Sequence, residues 1–416
     1  MSSRRKWTFG FLLMLLGVAL FMGARPQKCA DAVCGDQHAD APAYGVPGAF
    51  MVGRRDFLTD GEPALALKMW YPALSADERA EPGANPYEIK LGAPLGTVKI
   101  ASSAGTAVPD APFDLAQGPY PLVVLSPGFA MGATAYGWLA ERLASYGFVV
   151  LAPEHQETLD PQNELWRAAV TRRQDILAVF DFVDAQVQPG GLLAGLVDEE
   201  NTAVIGHSYG GYTALAAAGA QIDTASFQAH CDEAVQTEDP AAWLCEMLLP
   251  HLAEMASLAG LDALPEGMWP ASFDSRVDAI VPMAGDAFFF GQPGLAKIDV
   301  PVLAIGGTLD SDTPFLWGPQ PTFDHVSSQK KALLALNDAE HMIFSNSCES
   351  IRWYAKPLVG EFCDDTVWNR NQAHDLVSHF VTAFLLAELK QDTNAALFLA
   401  PNAAKFPEIT YTAQGY

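Results

Sequence analysis

Basic residues are scarce in this chain: 24 lysines and arginines stand against 49 aspartates and glutamates in 416 residues, a formal charge of -25. A surface of that sign repels phosphate backbones and anionic bilayers, so nucleic acid is excluded as a partner. The acidity itself reads as a solvated, solubilising surface and names no substrate. Metal spacings are missing too, since neither CxxC nor HExxH occurs, and no metal or organic cofactor is expected. There is no internal repeat and no long low-complexity tract, which removes repeat arrays. Half of the residues are hydrophobic, enough for a large core in one enlarged domain or two smaller ones.

What is present begins with Ser2-Ser3-Arg4-Arg5-Lys6 ahead of an uncharged apolar run from Trp7 to Gly23. That is the arrangement of an export signal, and residues 1–24 are expected to be a signal peptide or an uncleaved N-terminal membrane anchor. The product is then secreted or periplasmic, or anchored with its basic end inside, and any membrane attachment runs through this segment alone. No lipobox-like residues precede Cys29. Six cysteines in an exported chain point to disulfides. Their spacing suggests local pairs, Cys29 with Cys34, Cys231 with Cys245 and Cys348 with Cys363, although sequence leaves the connectivity open.

Residues 25–60, with Pro42 and Pro47, read as a linker. Ala64 to Tyr71 is a strand ended by Pro72, and the Gly/Pro-rich stretch to Pro119 is a surface loop holding a short strand near Thr97 to Ile100. From Pro121 strand and helix alternate: strand Leu122 to Ser126, helix Thr134 to Tyr146, strand Phe148 to Ala152, helix Asn163 to Val187, strand Thr202 to Ile205. This rhythm predicts a mostly parallel sheet with helices on both faces, an α/β fold. Residues 221–275 break it and read as an inserted helical cap, with one helix near Met247 to Leu258. Strands resume at Val277 to Met283, Val300 to Ile305 and Ala332 to Leu336. A helix from Asn371 to Leu389 closes a domain spanning 61–390, and 391–416 is a polar tail.

Gly206-His207-Ser208-Tyr209-Gly210-Gly211 joins the strand ending at Ile205 to a run of small residues. A sharp strand-to-helix turn there leaves no room beside Ser208, which accounts for glycine two positions before and after it. A serine hydroxyl becomes a nucleophile only when a histidine takes its proton, and that histidine needs a carboxylate to hold its tautomer. Asp310 follows one later strand and His341 the next, so both loops emerge on the edge where Ser208 does. Asp312 reads as a turn or helix-start residue. His325 precedes the strand that should deliver the base, and His374 and His379 lie within a helix, so they are poorer candidates. The oxyanion donors are the backbone N–H groups of Phe129, after strand Leu122 to Leu125, and of Tyr209.

Leu125-Ser-Pro-Gly-Phe-Ala130, Trp138 through Val150, and Gly206 through Gly211 resemble the dienelactone-hydrolase-like and bacterial cutinase-like branch of the α/β-hydrolases. Lys68-Met-Trp-Tyr-Pro72 and Ala152-Pro-Glu-His-Gln156 are similar to the type II platelet-activating-factor acetylhydrolases within it. The resemblance covers roughly residues 60 to 390 outside the insert. It implies Ser208 as nucleophile, His341 as base, and Phe129 and Tyr209 as oxyanion donors. For the acid it implies two positions: Gly307 through Pro314 matches the cutinase-like loop with Asp310, and Ala284-Gly285-Asp286 the acetylhydrolase position. Asp310 is favoured, because a loop directly before that of the histidine is the more usual arrangement.

The expected activity is carboxylic-ester hydrolysis through an acyl-enzyme, on a small-molecule or lipid-like ester. The alternatives are another acyl hydrolase (peptidase, thioesterase or polyester hydrolase) or a catalytically silent binding protein. Phe288-Phe289-Phe290, Trp243 and Trp269 could line an acyl pocket or form the core of the cap.

Overall fold

The computed structural model describes residues 41–416 apart from 62–63, 75–84, 272–273, 349, 357–362, 364, 366 and 405. The expected signal or anchor, with Cys29 and Cys34, lies outside the described residues. Among those described, no helix is long and apolar enough to cross a membrane.

The strands are β1 (Met51–Leu58), β2 (Ala66–Ala73), β3 (Tyr87–Ala93), β4 (Gly96–Ser103), β5 (Val108–Pro109), β6 (Tyr120–Ser126), β7 (Val149–Pro153), β8 (Val197–His207), β9 (Ala279–Met283), β10 (Val302–Gly307), β11 (Lys331–Leu336), β12 (Ser350–Ile351) and β13 (Ile409–Gln414). Ten of them form one sheet in the order β13-β11-β10-β9-β8-β6-β7-β2-β1-β5, and β12-β4-β3 form a second. The six central strands, β11 to β7 in that order, pair in parallel. β2 and β13 run antiparallel at the two flanks.

Helices α1 (Gly137–Ser145), α2 (Pro161–Gln186), α3 (Tyr209–Ala217), α4 (Thr224–Gln236), α5 (Ala242–Leu248), α6 (Leu252–Leu258), α7 (Gly291–Leu295), α8 (Pro319–His325), α9 (Arg370–Leu389) and the single turn α10 (Thr393–Ala396) lie between these strands. Strand alternation assigns them to two layers. Leu122 and Val124 of β6 join a core with Ile176, Val179 and Val183 of α2, whereas Val123 and Leu125 join one with Leu139 and Leu143 of α1 and Phe380 and Phe384 of α9. Among the buried positions of α2, Leu165, Ala169, Arg172, Ile176, Val179 and Val183 recur every three or four residues, which lays one stripe on the sheet.

The sheet is wider than the sequence-based reading. Residues 51–58, within the expected linker, pair with β2 over its whole length, and the tail contributes β13 beside β11. β13 alternates half-buried and exposed positions, the pattern of a one-sided edge strand, and its mixed polarity hid it. β2 runs through Pro72 instead of ending there, because its pairing with β7 stops at Trp70 and no donor is needed on that side beyond it. The helix expected near Met247 to Leu258 is two helices, broken at Leu249-Pro250-His251 where proline removes a donor.

Residues 221–275 hold α4, α5 and α6. Cys231 of α4 is bonded to Cys245 of α5, and Cys348 to Cys363. Two such bonds fit an exported protein.

Candidate active site

Ser208 sits where β8 gives way to α3. Its backbone is left-handed, with φ 58° and ψ -124°, a conformation that costs a non-glycine residue energy and persists only where the surroundings impose it. The surroundings are close backbone. A Cβ on Gly206 would lie 2.2 Å from the Gly210 carbonyl oxygen, and one on Gly210 2.0 Å from that of Ser126. Glycine at both positions therefore lets the turn press against the end of β6. Ser208 N–H donates to the Met283 carbonyl at 2.9 Å, and the Ser208 carbonyl accepts from Gly211 N–H at 2.8 Å. The residue is half-buried, so its side chain is not sealed from solvent.

β10 and β11 end on the same edge and deliver Asp310 and His341. Nδ1 of His341 lies 2.7 Å from Oδ2 of Asp310, and both residues are buried. The other carboxylate oxygen, Oδ1, accepts from the N–H groups of Asp312 and Thr313 at 2.9 and 2.8 Å. Asp312 is thus a turn residue whose backbone orients Asp310. Burial alone would lower the His341 pKa, but the charge of Asp310 and its hydrogen bond outweigh it and hold the imidazole above its ordinary 6.5.

Asp286, the other candidate acid, is also buried beside this pair, but its Oδ1 has no hydrogen-bond partner. Burial pushes its carboxyl up to about 8; the His341 charge opposes that shift and the Asp310 charge adds to it. At neutral pH it is a carboxylic acid.

Phe129 and Tyr209 stand side by side, ring centroids 6.1 Å apart and edge-on. Tyr209 opens α3, where first-turn N–H groups have no partner within the helix. Among the described residues the Phe129 N–H makes no hydrogen bond.

A chain of contacts that sequence reasoning did not find links these parts. Gly128 N–H donates to Tyr136 Oη at 3.0 Å, Tyr136 Oη lies 2.9 Å from His207 Nδ1, and His207 Nε2 donates to the His341 carbonyl at 3.0 Å. The His207 and His341 rings are 4.7 Å apart. Burial, then the His341 charge, hold His207 well below the usual histidine pKa, so it is neutral and both ring nitrogens are committed. The loops carrying Ser208 and His341 are therefore joined through the residue before the serine. Its only signal in the sequence is its place in the Gly206 to Gly211 run.

The remaining candidates fall elsewhere. His374 stacks on Trp138 at 3.8 Å and bonds the Ile343 carbonyl, His379 packs against Tyr44, and His325 ends α8. Burial pushes the first two down to about 3 and about 4. Phe288, Phe289 and Phe290 are buried against Phe227 and Tyr212, and Trp269 donates to Thr224 Oγ1. These aromatics pack residues 221–275 against α3 and the segment after β9.

Residues 79–237 match a family model described as PET hydrolase-like, a stretch that includes Ser208 and stops before Asp310 and His341. A bis(hydroxyethyl) terephthalate hydrolase of Streptomyces coelicolor is 24% identical over 70% of this chain and 76% of its own length. Cutinase est1 of Thermobifida alba is 24% identical over 68% and 77%. Over a shorter stretch, 22% of this chain, Cutinase est2 of the same organism is 32% identical. With a central parallel sheet covered on both faces and a strained serine turn at its carboxyl edge, the chain has an α/β-hydrolase fold. Its sequence is similar to the cutinase-like branch of that superfamily.

Proposed function

We propose that the protein is a serine carboxylic-ester hydrolase in which Ser208 is the nucleophile, His341 the general base and acid, and Asp310 the residue that orients His341. The observation that carries the assignment of the acid is the 2.7 Å contact of Asp310 with His341 Nδ1, with both carboxylate oxygens engaged. Ser208 Oγ attacks the ester carbonyl carbon as His341 Nε2 takes its proton, and the negative oxygen is received by the N–H groups of Phe129 and Tyr209. Collapse expels the alcohol, which leaves with the proton from His341. Water then repeats the sequence on the acyl-enzyme and releases the acid.

The substrate class is a small or lipid-like ester. Leu309 and Leu316, on either side of Asp310, are 52% and 74% exposed and offer an acyl or aryl group an apolar surface on the loop that carries Asp310. The relatives named for bis(hydroxyethyl) terephthalate hydrolysis and as cutinases act on esters, which favours an aryl diester among the substrates to be tried. The enzyme works outside the cytoplasm, secreted, periplasmic or tethered by residues 1–24, a placement that the two disulfides support. The test is turnover of p-nitrophenyl esters of graded chain length and of bis(hydroxyethyl) terephthalate, with peptide and thioester controls. Ester turnover at least ~100-fold above the controls is expected, and a preference for peptide or thioester would overturn the reading.

A further inference from the structure

A Ser–His–Asp row occurs a second time in the molecule, away from Ser208. Ser126 Oγ lies 2.9 Å from His155 Nε2, and His155 Nδ1 lies 2.6 Å from Asp175 Oδ2. Ser126 is wholly buried at the end of β6, behind the serine turn, so no substrate carbonyl can reach its hydroxyl and the row is not a second nucleophile. Asp175 accepts the Nδ1 proton, which leaves Nε2 of a neutral ring to accept from Ser126 O–H. Burial and the neighbouring Arg172 charge keep that ring neutral.

A second rung runs beside the first. Arg172 holds Glu157 with both arms of its fork, at 2.6 and 2.7 Å, and donates to the carbonyls of Pro127 at 2.6 Å and Gly128 at 3.0 Å. Glu157 Oε2 in turn accepts from the N–H of Ala130 at 2.9 Å, a residue with φ 55°. Arg172 and Asp175 are three residues apart on α2 and so share a face. His155 and Glu157 are two apart in the loop after β7. The two rungs tie residues 126–130 to α2 at both ends.

Pairing two buried charges is a weak route to stability, because their desolvation offsets most of the attraction. What this pair does is geometric. The Gly128–Phe129 peptide is planar and trans, so its carbonyl and its N–H point in opposite directions. With the Gly128 carbonyl turned onto Arg172, the Phe129 N–H is turned away from α2. The same guanidinium lies 5.4 Å over the ring of Tyr209, the residue that supplies the second N–H. We propose that the Arg172–Glu157 pair, braced by Ser126, His155 and Asp175, positions the oxyanion hole by fixing the direction of the Phe129 N–H. The proposal rests on the ester-hydrolase reading above; these five are positioning residues and touch no substrate.

Arg172→Lys tests it, since lysine keeps a charge beside Glu157 but cannot hold two carbonyls and a carboxylate in one plane. With activity counted per site titrated by a fluorophosphonate, kcat/KM for p-nitrophenyl butyrate should fall about ten- to a hundredfold, part of the loss for a missing oxyanion donor. The Ki of a trifluoromethyl ketone, whose hemiketal oxygen occupies the same hole, should rise by the same factor. Asp175→Asn, at the more exposed end of the row, should move both quantities together by about two- to fivefold, and it serves if Arg172→Lys does not fold. A fall in kcat/KM with Ki unchanged, or both at wild-type values while only Tm drops, makes the network merely structural and overturns the proposal. If the unaltered protein is not labelled at Ser208, the hydrolase reading itself has failed and the proposal with it; labelling with an unchanged Ki rejects the proposal alone.

Discussion

His207, the residue before Ser208, donates through Nε2 to the main-chain carbonyl of His341 at 3.0 Å, while its other nitrogen faces Tyr136 Oη at 2.9 Å. The turn that presents Ser208 and the loop that presents His341 are thus held in mutual register by a neutral histidine, independently of any bond between the Ser208 and His341 side chains. Tyr136→Phe breaks the link at its far end and leaves the Gly128 N–H and His207 Nδ1 buried without partners. It should cost ~1–3 kcal/mol of unfolding free energy and lower kcat severalfold. Urea unfolding and steady-state kinetics check both. Wild-type kcat in a destabilised variant would show that the chain of bonds holds the fold but not the site.

Ser208→Ala removes a half-buried hydroxyl and no core volume, so stability should change by less than ~1 kcal/mol while kcat falls by a factor on the order of 10^4 or more. A fluorophosphonate should label Ser208 in the parent and nothing in the variant. Labelling at Ser126, the other serine in a Ser–His–Asp row, would reverse the assignment of the two rows.

Asp310→Asn should lower kcat by a factor on the order of 10^4, by analogy with the acid-to-amide change in the serine-protease triad. The pH profile separates the acids further. His341 must be unprotonated to accept the serine proton, and although burial alone would lower its pKa, Asp310 raises it above 6.5. The rate should therefore climb with pH to a midpoint above 6.5, and Asp310→Asn should move that midpoint down. Asp286 is already neutral below about 8. Asp286→Asn should leave the neutral-pH rate within about threefold and alter the profile only on its alkaline side. The reverse ranking would make Asp286 the acid.

The residues named from sequence for the triad and the hole follow from a local rule: each lies just after an apolar strand, and strands of a parallel sheet end on one edge. That rule reaches Ser208, Asp310, His341 and Phe129 because β6, β10, nearly all of β11 and the second half of β8 are continuous buried runs. It does not reach Arg172, Glu157, His155 or Tyr136. A charged residue on a long helix reads as solvated surface, and only the packed structure shows that Arg172, 1% exposed, faces inward on carbonyls that sequence cannot bring near it. The flanking strands β1 and β13 are not legible in the sequence for a related reason: few of their residues are fully buried, and their pairing is set by tertiary contact more than by pattern.

Residues 221–275 bear on substrate size. His230 of α4 packs edge-on against Trp317 at 4.3 Å and stacks on Phe288 at 5.0 Å, which brings residues 221–275 up beside the loop that carries Asp310. The Cys231–Cys245 bond holds α4 to α5 across 14 residues, and closing a loop of that length contributes ~3 kcal/mol against unfolding. A wall anchored in this way should admit single-chain esters and obstruct a polymer surface. Replacing both cysteines by serine should therefore broaden acyl-chain selectivity on the p-nitrophenyl series more than it reduces turnover of the best short ester. The comparison that decides it sets bis(hydroxyethyl) terephthalate against insoluble polyester film on the intact enzyme. Soluble diester should be hydrolysed far faster. Equal rates on the film would mean that residues 221–275 leave the cleft open, and that the serine is served by an exposed groove of the kind a polymer can enter.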